Sequence, residues 1–216
     1  MRNSCLIILL FFCMKGNTQV FTSSPLSVKG WYAEAQAAAG HSWYSNFSRH
    51  ALFHLHYRGG INLVKMGGGP VGFGVGLAFN KEGASEKNDL YSIRRTENAY
   101  YIKVPMFARF LVNRTRKTQP FADAGVEWGF FTGGLTREYN SNGKRTSETT
   151  TSITNETDLG LLGNIGVMHQ VNRVFSISGF AGYYHGLSQK YFLTGGKSPT
   201  MTNRNVRVGI GLARKL

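Results

Sequence analysis

Cysteine is absent beyond position 13: Cys5 and Cys13 are the two the sequence holds, and both lie in its first apolar stretch. A chain processed after that stretch has no disulfide, no thiolate metal site and no sulfur nucleophile. Long apolar runs are lacking too. A helix crossing a membrane needs about 20 consecutive apolar residues, and no segment approaches that, so membrane insertion through helices is excluded. Acidic residues are scarce, 11 Asp and Glu against 25 Lys and Arg. Proline is limited to five positions in 216, which leaves long stretches free to form a continuous backbone ladder.

The N-terminus reads as a secretory signal over residues 1–19: Arg2 gives the positive start, Cys5 to Met14 the apolar run, and Gly16 to Gln19 the small and polar exit. Residues 20–216 are then one domain, a length that a single all-β barrel fills. Leu10, Phe11 and Phe12 precede Cys13 where a lipidated signal needs small residues, which argues against lipid attachment. Without Arg2 and Lys15, 23 basic residues face 11 acidic ones, a net charge of +12. An exported chain of that charge is expected to meet anionic lipid head groups, including lipopolysaccharide phosphates, with no nucleic acid as partner; a solvated surface is the bland alternative.

Glycine, in contrast, is abundant: 27 of 216 residues, against an average of about 7%. The glycines alternate with apolar residues. Val71, Phe73, Val75, Leu77 and Phe79 interleave with Gly72, Gly74, Gly76, Ala78 and Asn80, and an equal period of two recurs about eight times. Near the end, Val206, Val208, Ile210 and Leu212 oppose Arg207, Gly209 and Gly211. A charge on a lipid face costs about 2–4 kcal/mol at the midplane, so Arg207 is expected inside or at the interface. The segment 121–131 sets Ala122, Ala124, Val126, Trp128 and Phe130 against Asp123 and Glu127. The segment 100–111 sets Ile102, Val104 and Met106 against Lys103 and Arg109. Segment 173–186 is rich in aromatic residues, segment 158–169 alternates less cleanly, and the register of both stays open.

The pattern predicts an all-β fold, a transmembrane antiparallel up-and-down β-barrel of about eight strands. Short turns are expected at 67–70, 113–119 and 170–173, and longer polar links at 81–98, 132–157 and 187–203, with a small one near 43–49. The run Ser147 to Ser152 reads as a mobile external loop.

Tyr101-Ile102-Lys103-Val104-Pro105-Met106 resembles the aromatic-x-x-hydrophobic-Pro-hydrophobic signature of the PorT-like outer-membrane β-barrel family of Bacteroidetes. Pro120 to Gly125, Asp158-Leu159-Gly160 and Tyr184-His185-Gly186-Leu187 resemble its later strands in order and spacing. The resemblance runs from about Trp31 to the C-terminus and implies a cell outer-membrane location, insertion by the barrel assembly machinery, and a possible link to type nine protein secretion. It carries no catalytic residue and no cofactor. The ending Ala213-Arg214-Lys215-Leu216 departs from the aromatic close usual in barrels.

The candidate site residues are luminal charges: Glu34, Lys103, Arg109, Asp123 and Glu127. In an antiparallel pair opposed residues have a constant sum, so one register places one of Arg109–Asp123 and Lys103–Glu127 opposite and the other diagonal. A salt-bridged filling of a narrow lumen is the favoured reading over a transport path. His54, His56 and Arg58 share a parity, but no carboxylate is tied to them, so no metal site is expected. His41-Ser42 lacks a third group and the spacing of a lipid A deacylase. A noncatalytic barrel with envelope partners is therefore the expectation, with a lipid-modifying enzyme and a soluble lipocalin-like barrel as alternatives. Trp31, Trp43, Trp128, Tyr100 and Phe131 are candidates for interfacial girdles. Gly67-Gly68-Gly69-Pro70 reads as a turn.

Overall fold

A computed structural model describes residues 29–45, 51–88, 93–112, 116–150, 156–188 and 201–216. The signal segment 1–19 and the start of the predicted domain, 20–28, lie outside the described residues.

Ten strands follow in order: β1 (Gly30–Tyr44), β2 (Ala51–Leu52), β3 (Leu55–Met66), β4 (Val71–Asn88), β5 (Ile93–Leu111), β6 (Thr118–Tyr139), β7 (Arg145–Thr150), β8 (Thr157–Gln170), β9 (Phe175–Gly186) and β10 (Asn203–Lys215). Eight of them, all but β2 and β7, pair antiparallel with their neighbours, and β10 returns to β1 to close the ring. Strand β2 adds to β4, and β7 adds to β6.

The registers fix the barrel's dimensions. Starting at Ala33 and stepping strand to strand through Leu63, Val75, Met106, Val126, Leu161, His185 and Arg204, the path returns to β1 at Trp43, ten residues beyond its start. Eight strands with that stagger, at a rise of about 3.3 Å and a spacing of about 4.8 Å, tilt by about 40° and enclose a radius of about 8 Å. Such an interior has room for side chains and little else.

Each strand sorts its residues as a lipid-facing wall requires. Ile61, Phe73, Ile165, Val208 and Ile210 lie on the outside, each more than 60% exposed, while Glu34, Asn62, Lys103, Arg109, Asp123 and Arg207 are buried within. This arrangement is the inverse of a soluble lipocalin, whose cavity is apolar. The two strands of open register resolve the same way: Asp158, Leu162, Asn164 and Met168 of β8 point inward, as do Phe180 and Tyr184 of β9. Aromatic rings occupy space left by glycines on facing strands. A Cβ at Gly74 would lie 2.3 Å from the Phe107 ring, and one at Gly209 2.5 Å from that of Phe180.

The links at 67–70, 112–117 and 171–174 are short, as the sequence suggests, though 113–115 lie outside the described residues. Two of the long links are corrected. Residues 81–88 continue β4 and 93–98 belong to β5; residues 132–139 extend β6, and Leu135 to Tyr139 pair with β7. The stretch Arg145–Thr150 is therefore a strand and not an unpaired loop, while 151 and 152 are not among the described residues. The small link at 43–49 is also shortened, because β1 runs through Trp43 to Tyr44.

Two irregularities break the two-residue alternation at this level. Between β5 and β6, Tyr101 faces Phe131 but Tyr100 faces Gly133, so Thr132 is extra. Between β3 and β2, Phe53 and His54 interrupt the ladder, and Leu52 resumes opposite Ser85. Each bulge shifts the parity of its strand, which sends the alternation onto the other face. At the same height Gly83 adopts φ +146°, and a Cβ there would lie 1.9 Å from the Glu97 carbonyl oxygen. The strands persist through this zone while their sequence pattern breaks.

Candidate functional site

The inward faces bring the charged residues together in two linked clusters. The lower one centres on Arg109 of β5, which stands directly opposite Asp123 of β6. Its Nε donates to Asp123 Oδ1 at 2.8 Å, and one terminal nitrogen donates to Asp123 Oδ2 at 3.0 Å and to Glu34 Oε2 of β1 at 3.1 Å. The guanidinium also lies 4.6 Å from the Phe121 ring centroid and 5.5 Å from that of Phe107. Planar, bidentate pairing of this kind uses the fixed fork of arginine.

The upper cluster centres on Lys103, fully buried in β5. Its Nζ is 2.8 Å from Glu82 Oε1, 3.0 Å from Asp158 Oδ2 and 3.5 Å from Glu127 Oε1, and it sits 3.7 Å from the Tyr184 ring centroid. Lys103 faces Gly129 while Glu127 faces Pro105, so this pair is diagonal where Arg109–Asp123 is opposite. Arg58 of β3 donates across the lumen to Glu127, and Asn203 and Asn205 of β10 donate to Glu82. The clusters connect through neutral amides: Arg207 donates to Asn164 Oδ1 at 3.2 Å, and Asn164 donates to Asp123 at 3.4 Å.

All five charges read from the sequence thus point into one lumen. Sequence reasoning missed Glu82 and Asp158 as ligands of Lys103, and the amides Asn164, Asn203 and Asn205. Glu82 shares the inward parity of Asn80, a usable signal, but it falls in the polar stretch from Lys81 that reads as a link. Arg207, expected inside or at the interface, is inside and 4% exposed.

Between the clusters a cavity lined in part by Gln36, Arg58, Asn62, Asn164 and Arg207 measures about 10 Å³, close to the least volume that admits one water. Such packing has a physical reason: each buried ion costs several kcal/mol to desolvate unless partners surround it.

The remaining candidates do not converge. His54, outside regular strand, hydrogen-bonds Ser85 Oγ through Nδ1 at 3.1 Å, and His56 Nδ1 lies 2.9 Å from the Lys81 carbonyl oxygen. Among the described residues no group of three or more His, Cys, Asp and Glu is placed to hold a metal ion. Ser42 is fully buried and bonds the Gly83 carbonyl, whereas His41, its strand neighbour, turns the other way and stacks between Trp43 and Phe53. Adjacent residues of a strand face opposite sides, so these two form no catalytic pair.

Above the membrane boundary, Glu97 of β5 is 1% exposed and 2.6 Å from an Arg95 nitrogen. Burial outweighs that pairing and pushes its carboxyl up to about 7, with Arg95 opposing the rise and Glu86 adding to it.

The structure is similar to solved outer-membrane barrels. Against OprG from Pseudomonas aeruginosa the TM-score is 0.57, with 12% identity over 87% of this chain and 96% of that one. Against the neisserial surface protein NspA it is 0.50, with 16% identity over 87% of this chain and 98% of that one. No curated protein matches the sequence significantly. Residues 30–190 match the outer membrane protein beta-barrel domain family, and with a closed ring, an apolar exterior and a charged interior, the chain belongs to that family and resides in the cell outer membrane.

Proposed function

We propose that this protein is a noncatalytic outer-membrane barrel whose lumen is closed by its own side chains and whose function lies at its external end. The carrying observation is Lys103, fully buried among three carboxylates where a water-filled channel would otherwise run. External partners are then reached by the extended strands β4 to β7, whose outward residues Lys87 and Arg94 suit lipopolysaccharide phosphates or an acidic envelope protein. Delivery to the membrane falls to the barrel insertion machinery after removal of a signal at 1–19. Within the family, the motif Tyr101 to Met106 supports placement in the PorT-like branch, and a part in type nine secretion would follow from that branch alone. Its proline is buried at the lumen beside Glu127, so that residue of the motif belongs to the interior packing, while Ile102 and Met106 face outward.

Electrical recording from the refolded protein in planar bilayers tests the reading. The wild type is expected to give no steady conductance. A stable ohmic conductance typical of a water-filled pore overturns the closed lumen.

A further inference from the structure

The outer wall formed by β1, β10, β9 and β8 differs from the rest of the lipid-facing surface at its external end. Trp43, Arg204 and His185 stand side by side on three neighbouring strands. Two rows below, Ala39 and Ala181 flank Val208, and with Gly163 they leave the backbone uncovered in a groove of about 730 Å³. Apolar side chains, Val208 and Ile165 among them, form the sides.

Arg204 is the polar feature above this groove. Among the described residues its buried Nε has no hydrogen-bond partner and no carboxylate pairs with it. Outward cations elsewhere on the wall are better provided for: Lys65 lies over the Trp31 ring and Lys81 over the Tyr57 ring. Two further donors stand near Arg204. His41 lines the groove, and its Nδ1 is engaged with the His54 backbone, 3.1 Å from the nitrogen and 3.3 Å from the carbonyl oxygen, which leaves Nε2 as the nitrogen for a ligand. His185 is tied to the Tyr183 hydroxyl through Nδ1 at 3.3 Å.

From this arrangement we infer a lipid-binding site: one acyl chain of a phosphorylated outer-leaflet lipid lies in the groove, and its phosphate meets Arg204, His185 and His41. The depth in the membrane fits, because the groove faces hydrocarbon and the cation sits at its external rim. A second copy of the chain fits less well, since a two-fold contact over this face would bring Arg204 towards its own copy. The site gives the proposed lipid partner a place on the barrel and rests on that reading, but it uses the wall and not the external strands.

Native mass spectrometry of the protein released from phosphatidylcholine nanodiscs carrying a minor fraction of phosphatidic acid of equal chain length provides the test. Phosphatidic acid is expected to be retained at least about tenfold over phosphatidylcholine, a difference of ~1.4 kcal/mol. Arg204→Gln removes the preference, Arg204→Lys keeps it, and Ala181→Leu lowers retention of both lipids by filling the groove. A heat-dependent gel shift establishes that each variant is folded. Equal retention of the two lipids by the wild type overturns the site, as does a preference unchanged in Arg204→Gln. Displacement of phosphatidic acid by inorganic phosphate also overturns it, because the acyl chain would then contribute nothing. If the preference instead disappears in the double variant Lys87→Gln and Arg94→Gln, and not in Arg204→Gln, the external strands hold the lipid. The groove site then falls while the proposed function stands.

Discussion

Below the level of Tyr57 and Tyr100, the outward rows of β4, β5 and β6 carry Phe73, Met106 and Val126; above it, the same strands continue with Lys87, Arg94 and Arg137 in the outward row. The lower wall is held against hydrocarbon and encloses charges that have nowhere else to go. The upper wall meets water on its outer side, and its interior is apolar, with Ala84, Ala99 and Tyr101 packed near Tyr44 and Met201. The contrast teaches that one hydrogen-bonded ladder serves two solvents. What changes between them is the source of stability: matched buried charges and lipid contact below, backbone pairing and local ion pairs above.

The largest effect is expected where that contrast is sharpest. Lys103→Met strands Glu82, Glu127 and Asp158 in a low-dielectric interior, and breaking a buried pair this way costs about 3–5 kcal/mol. Urea unfolding of the refolded protein in detergent, followed by the gel shift, should show the midpoint fall; an unchanged midpoint would mean that water enters the lumen freely. On the lipid side, Val208→Arg is expected to cost about 2–4 kcal/mol, whereas Lys87→Ala, on the wall above the membrane, should leave the midpoint almost unmoved. Equal losses at the two positions would break the division between the walls.

A smaller, pH-dependent effect belongs to the upper wall. Because burial raises the Glu97 carboxyl to about 7 in the folded state, from an ordinary value of 4.5, the fold favours its protonated form. The stabilising contribution is complete below about 4.5 and is lost as pH rises towards and through 7, on the order of 1–3 kcal/mol locally. Hydrogen exchange corrected for intrinsic rates should show amides near Glu97 opening more readily at pH 8 than at pH 5. Glu97→Gln should remove that difference, and a response surviving the substitution would assign it elsewhere. Least of all is expected from Glu148, which pairs on the surface with Arg137 at 2.8 Å and with Arg145. Glu148→Gln should give no measurable shift in the unfolding midpoint, and a clear loss would mean that β7 is held by its charges more than by its ladder.

The legible part of the site was the part inside regular alternation. Arg109, Asp123, Lys103 and Glu127 lie on strands with an uninterrupted period of two, so parity alone sends all four to one face, and the short turn near 113–119 limits how they pair. Glu34 lies on such a strand too, yet its meeting with Arg109 depends on ring closure from β1 across to β5. Glu82 is hidden because the apolar stripe ends at Phe79, and a strand recognised by its lipid face ends where the lipid stops. The bulges at Thr132 and at Phe53–His54 concealed the upper strands for a related reason: a pattern that changes face midway looks like none.

By itself the sequence determined a β-barrel of about eight strands and the inward side of Lys103, Arg109, Asp123 and Glu127, because a two-residue period read against lipid leaves only one arrangement affordable to buried charge. Only the tertiary structure decided the stagger of ten, the convergence of Glu82, Glu127 and Asp158 on Lys103, and the place of Arg204 above a groove. Those facts depend on register summed around a closed ring, a long-range quantity that no local stretch of sequence encodes.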